Sequence, residues 1–154
     1  MYEGQPDENN WSERERLHRA AALGDMESID LLLSEGARVN QFDDLSYTPL
    51  HYAAVGGHTS VVDRLIQAGA EVNANLEERI GDTALKEAAG TCSLEMARIL
   101  VDAGADPTIT GWMGLTALDC SVERADEEGK AVHHLLLEVA KRVHPEWPRL
   151  GEFL

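Results

Sequence analysis

The sequence predicts an all-α solenoid of about four helix-turn-helix repeats. Three stretches, at 17–40, 50–73 and 85–108, align with one another without a gap. Each contains two apolar stripes at helical spacing, and each second stripe is followed by a glycine. A unit repeating at about 33 residues cannot bury its apolar face alone, so we expect the copies to stack on their neighbours.

The first helix of each unit is indicated by a leucine and two alanines at the i, i+3, i+4 spacing, which places three apolar groups on one helical face. These residues are Leu17, Ala20 and Ala21, then Leu50, Ala53 and Ala54, then Leu85, Ala88 and Ala89. Because alanine is small, it lets helices of adjacent units approach closely. We therefore expect the first helices to pack in the interior.

A sharp turn is expected after each first helix. Gly24 and Gly57 occupy this turn in the first two units, where glycine adopts the left-handed conformation without a Cβ penalty. Cys92 stands at the equivalent position of the third unit. The third turn is therefore predicted to differ from the other two.

The second helix of each unit is indicated by another apolar stripe. Its members are Ile29, Leu32 and Leu33, then Val62, Leu65 and Ile66, then Ala97, Leu100 and Val101. Gly36, Gly69 and Gly104 follow these stripes and are typical of helix C-terminal caps. The pattern thus predicts a second helix in each unit that ends just before its glycine.

The ends of the stack are predicted to be atypical. Ser12 and Glu15 have the spacing of a capping box, which favours an opening helix near Ser12. The fourth unit restarts at Thr116 but carries extra polar residues before its last helix, which we expect to continue to about His144 and to stop before Pro145. The apolar residues of the tail either fold back over the terminal helices or remain exposed for a partner; they are Trp147, Leu150, Phe153 and Leu154.

One unit is specific enough to name a family. Its residues are Thr48, Pro49, Leu50, His51, Ala53, Ala54, Gly57, His58, Val61, Val62, Leu65, Ile66, Gly69, Ala70, Val72 and Asn73. Together they resemble a nearly complete ankyrin repeat, and the other units match it less fully. The resemblance covers roughly residues 12 to 142 and implies an ankyrin-repeat solenoid of stacked helix pairs whose projecting β-hairpin loops bind other proteins. It also implies that His18 and His51 hydrogen-bond between repeats, and that Asn40 and Asn73 stabilise hairpins.

We divide the chain accordingly. Residues 1–10 are expected to be a flexible acidic N-terminus, and residues 11–144 a repeat domain. Its units run approximately over 11–41, 42–75, 76–109 and 110–144, and residues 145–154 form a C-terminal tail.

The ankyrin resemblance places partner contacts on hairpin tips and on exposed first-helix positions of a concave groove. The candidates are Asp44, Leu45, Tyr47, Tyr52, Arg79, Ile80, Asp82, Glu87, Trp112, Met113 and Leu115. Trp112 and Met113 form a large apolar pair on a turn, and aromatic side chains are enriched among binding hot spots. Trp112 either contacts a partner or packs along the neighbouring hairpin.

The segment 74–82 is two residues longer than its counterpart at 41–47. The insertion indicates either sequence drift or a longer loop that reaches a partner.

The charge is strongly acidic, with 28 acidic and 13 basic residues and a formal net charge of -15. Such a surface repels phosphate backbones, which argues against nucleic acid as a ligand, and it attracts basic partners. The alternative explanation is that the acidic charge serves only to keep the protein soluble.

No apolar run approaches the roughly 18 residues that span a membrane. The N-terminus lacks the cationic and apolar regions of a secretory signal, so we expect a cytoplasmic protein whose Cys92 and Cys120 are reduced.

An enzyme is not expected. The sequence shows no nucleophile with an orienting base, no metal-ligand spacing and no phosphate-binding glycine loop, so no catalytic, cofactor or metal site is predicted. His133 and His134 are adjacent and point to different faces of a helix, so they cannot chelate one ion together.

Two function classes remain. The chain is interpreted as an adaptor or scaffold, monomeric on its own, that binds a basic protein; the alternative is a dedicated inhibitor or immunity protein that neutralises a basic toxin or nuclease.

Overall fold

The computed structural model describes residues 15–76, 78–79 and 81–146. This part of the chain contains eight α-helices, which run in four pairs: α1 (Arg16–Leu23) with α2 (Met26–Ser34), α3 (Pro49–Val55) with α4 (Thr59–Gln67), α5 (Ala84–Ala89) with α6 (Leu94–Asp102), and α7 (Ala117–Val122) with α8 (Glu127–Val143). A single 3-10 turn, Trp112–Gly114, precedes α7. The predicted all-α repeat architecture is confirmed.

The helix pairs stack in two rows. The first helices α1, α3, α5 and α7 contact one another in order, and the second helices α2, α4, α6 and α8 form the parallel row. The leucines and alanines that recur in the first helices are buried in every unit, and Ile29, Val62, Leu65 and Leu100 of the second helices complete the same continuous core. The core is therefore formed by the repeat positions themselves.

The turns between the helices of a pair follow the glycines as predicted. Gly24 and Gly57 adopt positive φ angles of 70° and 74°. In the third unit the turn runs through Gly90, which has a φ of -71°, and Cys92 is not left-handed. The predicted difference in the third turn is confirmed. Both cysteines are free thiols, and burial raises the pKa of each.

In each of the first two units, a buried histidine ties the first helix to the loop that follows the unit. His18 of α1 donates from Nε2 to the carbonyl oxygen of Gln41 at 2.7 Å, and His51 of α3 donates from Nε2 to the carbonyl oxygen of Asp82 at 2.6 Å. The second ring nitrogen of His51 accepts a hydrogen bond from the Thr48 backbone at 3.0 Å. These histidines hold the loops against the first helices, as the resemblance implied.

Two asparagines connect the ends of successive second helices. Asn40 donates to the carbonyl oxygen of Gly69 and accepts from the Glu71 amide, and Asn73 makes the same pair of bonds to Gly104 and Asp106. Each amide thus satisfies a free carbonyl at the C-terminus of the next helix, where such groups have no intrahelical partner. The role is structural.

The connecting loops project from the stack as turns. We name them loop A (41–48), loop B (74–83) and loop C (109–116). No β-strand occurs in the described parts of these loops. Backbone bonds close loops A and C, from the Asp43 amide to the Tyr47 carbonyl oxygen and from the Gly111 amide to the Leu115 carbonyl oxygen. In loop A the Asp43 carboxylate accepts the amides of Leu45 and Tyr47, so a side chain takes the bonds that a strand ladder would make.

The last helix ends where the sequence predicted, with Val143 as its final residue and His144 as the C-cap. Its 17 residues make it the longest helix described, and Asp126 caps its start by accepting from the Gly129 amide. Within the described residues, no helix is both long and apolar enough to cross a bilayer. The predictions made for residues 1–10, for Ser12 and for the apolar residues of the tail fall outside the described residues.

Candidate functional site

Contacts between loops A, B and C bring the predicted binding residues to one side of the stack. The hydroxyl of Tyr47 in loop A donates a hydrogen bond to the carboxylate of Glu87 in α5. The guanidinium of Arg79 in loop B lies 3.4 Å from the carbonyl oxygen of Asp44 in loop A. The carboxylate of Asp82 in loop B accepts a hydrogen bond from the backbone of loop C. We call this side, formed by the three loops and the outward positions of α3 and α5, the loop face. Ten of the eleven predicted residues are described there; Ile80 lies outside the described residues.

Loop C carries three large exposed apolar side chains, including Met113, the most exposed of the large apolar side chains described on the loop face. Trp112 is 57% exposed and Met113 is 78% exposed, and Leu115 is also exposed. More than half of Trp112 is therefore open to solvent, and its contact with a partner stays a prediction. Met113 adopts a left-handed conformation with a φ of 60°, which is uncommon for a residue other than glycine. The backbone turns sharply here and presents three large apolar groups to solvent.

The buried Asp82 carboxylate binds the backbone of loop C. It accepts the Trp112 backbone amide at 2.7 Å and pairs with the Lys86 ammonium, also at 2.7 Å. Asp82 is only 5% exposed, so the prediction that it lies at an exposed loop tip is wrong as to its position. Burial alone raises the pKa of a carboxyl, but hydrogen bonds with Glu87 and Lys86 and from the Trp112 amide hold the pKa of Asp82 below its usual value. It is a buried anchor for the loop that carries Trp112.

This anchor replaces a histidine. In the first two units a ring nitrogen of His18 or His51 binds the next loop, whereas Lys86 stands at the equivalent position of the third unit. A lysine has donors but no acceptor, so it holds the Asp82 carboxylate, which in turn accepts from loop C. Glycine at position 111 allows the Asp82 carboxylate to come close to the backbone of loop C, because a Cβ there would lie 2.0 Å from the carboxylate oxygen.

Loop A presents a smaller tip. Asp44 and Leu45 are exposed, and Ser46 behind them adopts a positive φ of 67°. Arg79 of loop B is also exposed and lies against this tip. The predicted residues of loops A and B therefore form a mixed surface of charged and apolar groups next to loop C.

Tyr47, Tyr52 and Glu87 line a cavity of about 110 Å³ together with His51 and Val55. The two tyrosine rings meet edge to face, with centroids 5.8 Å apart. The Tyr47 hydroxyl donates to Glu87 at 3.1 Å, and the Tyr52 hydroxyl donates to Asp43 at 2.5 Å. The cavity thus has aromatic walls, and carboxylates hold both hydroxyl groups.

The electrostatic character of this cavity is visible in its titratable groups. Burial, followed by the charge of Glu87, raises the pKa of Tyr47 to about 12. Burial and the hydrogen bond to Asp43 raise the pKa of Tyr52 as well. Burial and the neighbouring Asp82 raise the pKa of Glu87. Burial is the largest cause of each of these pKa shifts, and the negative charge of neighbouring carboxylates adds to it.

We expect Tyr47 to ionise at pH about 12, roughly two pH units above a free tyrosine. Because the folded state retains the proton more strongly than the unfolded state, the associated stability is complete below pH 10 and is lost as the pH rises toward 12. Ultraviolet difference absorbance follows tyrosinate formation, and Tyr47→Phe identifies the Tyr47 step. Glu87→Gln should lower that pKa because it removes the adjacent charge. Ionisation of Tyr47 near pH 10 in the folded protein would contradict this electrostatic description.

Sequence reasoning found the tyrosines and Glu87 but missed the residues that organise them. Asp43 binds the Tyr52 hydroxyl and two amides of its own loop. Aspartate in a polar loop is a common turn signal, which could have indicated this role. Val55 is 52% exposed at the edge of the cavity. Its exposure could not be inferred, because an apolar residue at the end of a short helix fits the core as well as the surface.

The described residues show little that resembles a catalytic centre. Within the described ranges, no three His, Cys, Asp or Glu side chains are grouped so that they could hold a metal ion. The cavity of about 110 Å³ and another of about 230 Å³ between α1 and α2 are smaller than the roughly 300–1,000 Å³ of typical small-molecule sites.

A family model described as ankyrin repeats (3 copies) matches residues 17–111. The match begins in α1 and includes loops A and B, the cavity residues and the Asp82 anchor. It ends at Gly111, immediately before Trp112. The three aligned units thus follow a known family pattern, whereas the most exposed apolar group of the loop face lies just beyond the matched range.

Proposed function

Because the chain belongs to the ankyrin repeat family, whose repeats are generally protein-protein interaction modules, we propose that it binds a partner protein with a basic surface. The contacts are made by loops A, B and C and by the adjoining groove of α3 and α5. In this role the chain is a non-enzymatic adaptor or scaffold, monomeric on its own and cytoplasmic. Nucleic acid and membrane are not its partners.

The exposed apolar tip of loop C carries this proposal. The backbone that carries Trp112, Met113 and Leu115 is tied by the Gly111–Leu115 bond and by the Asp82 carboxylate, which accepts the Trp112 amide. An exposed aromatic side chain on a fixed backbone loses little conformational freedom on binding, and such residues dominate interface energies. A rigid apolar group surrounded by charged residues is typical of a protein-binding surface.

Charge supports a basic partner. The net charge of -15 repels phosphate backbones and raises the encounter rate with a positively charged protein. Three of the acidic residues lie toward solvent in the loops themselves, at Asp43, Asp44 and Glu78. The loop face therefore combines an apolar anchor with an acidic surrounding, which suits a partner that offers an apolar pocket within a basic surface.

The first test is isolation of the native complex at low salt, with mass spectrometry of the co-purified proteins, followed by kinetics with the purified partner. We expect the association rate constant to fall several-fold as the ionic strength rises, because screening shortens the reach of the acidic surface. The dissociation rate constant should change less, since the apolar contact of Trp112 is insensitive to salt. A salt-independent association rate would leave the acidic charge explained by solubility alone. A purified partner with an acidic surface would contradict the proposal itself.

The same acidic surface also suits a dedicated inhibitor, such as an immunity protein that neutralises a basic toxin or nuclease. The isolated complex distinguishes the two roles. An adaptor leaves the activity of its partner intact and binds it moderately, whereas an inhibitor abolishes that activity at stoichiometric ratio and dissociates very slowly.

A further inference from the structure

The cavity beside the two tyrosines is open to solvent on the loop face and is lined by both aromatic and acidic side chains. Tyr47 and Tyr52 are half-buried, and the edge of one ring points to the face of the other at the opening of the cavity. Val55 lies exposed at its margin, and the buried ring of His51 closes its inner side. With a volume of about 110 Å³ the cavity accommodates the end of one side chain.

We propose that this cavity receives the guanidinium group of an arginine side chain from the partner protein. The inference rests on the proposed function and deepens it, because it names the group that the loop face recognises. Trp112 then supplies the apolar anchor of the interface, and the tyrosine cavity supplies its charge-specific contact.

Aromatic and acidic groups converge on the cavity in the way that a cation requires. Both tyrosine rings have π faces that attract a cation within about 6 Å of the ring centroid. Asp43, Asp82 and Glu87 surround the rings, and the Lys86 ammonium near them is buried and paired with Asp82 at 2.7 Å. Asp82 is committed to that ammonium group, which leaves the Asp43 and Glu87 carboxyl groups in excess beside the rings. A bound cation would lie against Tyr47, Tyr52 and Glu87 and would reduce this imbalance.

The nature of the lining favours arginine over lysine. The accessible wall of the cavity is formed mainly by tyrosine rings and by the Val55 side chain. A guanidinium is flat, stacks on aromatic faces and is more weakly hydrated than an ammonium, so it enters such a space at a lower desolvation cost. Its several N–H donors can also bind the Glu87 carboxylate while the plane of the group lies against a ring.

The test uses small probes and does not depend on knowing the partner. N-acetyl-arginine amide is titrated into the isotope-labelled full-length chain, with backbone amide chemical shifts as the readout. We expect saturable shifts at Tyr47, Tyr52, Val55 and Glu87. N-acetyl-citrulline amide has the same shape without the charge, and it should produce no saturable shift. N-acetyl-lysine amide has the same charge and should bind at least about threefold more weakly, as the hydration difference predicts.

Two variants locate the probe. Tyr52→Leu removes an aromatic face, and Glu87→Gln removes a charge while retaining the shape and an acceptor for Tyr47. Each should weaken the binding of N-acetyl-arginine amide by about fivefold or more, in line with a cation–π or charged hydrogen-bond contribution of about 1 kcal/mol. Arg19→Leu changes the equivalent position of the first unit and should leave probe binding unchanged. If Tyr52→Leu does not fold, Glu87→Gln alone decides the question.

Several outcomes would overturn the arginine assignment. They are the absence of saturable shifts, equal binding of the citrulline or lysine probe, shifts spread evenly over the acidic surface, or a partner affinity that neither Tyr52→Leu nor Glu87→Gln changes. In each of these cases the proposed function survives if the partner still binds and Trp112→Ala still weakens the complex. If the arginine probe binds as expected but no partner protein depends on Trp112, the proposed function fails separately.

Discussion

His51→Ala is expected to lower the free energy of unfolding by about 3 kcal/mol. The ring is 2% exposed and bridges α3 to loop B, through one bond to the Thr48 amide and one to the Asp82 carbonyl oxygen. Alanine leaves both groups without their partner, at about 1–3 kcal/mol for each group that stays buried, and it also leaves a cavity. Loop B can admit some water after the change, which keeps the loss below the sum of these costs.

Chemical denaturation of the wild type and of matched variants measures this effect. His58→Ala is the control, because His58 also bonds to a backbone carbonyl oxygen, that of Ala22, but in a more exposed setting. The control should lose no more than about 1 kcal/mol, the usual net value of one hydrogen bond. Equal losses for the two variants would show that the bridge to loop B has no special energetic role. An unchanged stability of His51→Ala would refute the account of how the loops are held.

The histidine bridge also explains which parts of the molecule could be predicted from the sequence. The recurring Leu17, Leu50 and Leu85 and the capping glycines predicted the helix pairs, because helical periodicity and left-handed caps are local properties of the chain. The end of α8 before Pro145 follows from a local steric rule. The capping box expected at Ser12 falls outside the described residues and stays a prediction.

The loop face was only partly predictable. Tyr47, Tyr52, Glu87 and Trp112 were identified by their positions in the repeat, and the structure brings the first three together. Their contacts join residues up to 40 positions apart, as in the bond from Tyr47 to Glu87, and no local pattern encodes such a distance.

Asp82 shows the limit of positional reasoning most clearly. An acidic residue in a polar loop is usually solvated, so the sequence placed it at the exposed tip of loop B. The structure turns its carboxylate inward because Lys86 follows it by one helical turn and the Trp112 amide needs an acceptor. The presence of lysine where the earlier units have histidine was the signal that this unit anchors its loop in another way.

Trp112→Ala is expected to weaken partner binding by about 2 kcal/mol or more, which corresponds to about 30-fold in the dissociation constant. The side chain is 57% exposed in the free protein, whereas the backbone amide that binds Asp82 is retained in the variant. Folding stability should therefore change by no more than about 0.5 kcal/mol, as for ordinary surface substitutions. The two quantities separate a binding residue from a structural one.

Leu31→Ala is the matched control for this prediction. Leu31 is 53% exposed and lies on α2, away from loops A, B and C, so its replacement removes a similar exposed apolar group from another surface. Isothermal titration calorimetry with the isolated partner gives the affinities, and thermal denaturation gives the stabilities. We expect the loss of affinity for Trp112→Ala alone, mainly through faster dissociation, because truncation of a buried interface group acts on the lifetime of a complex. Equal affinities for the two variants in a folded chain would remove loop C from the binding surface.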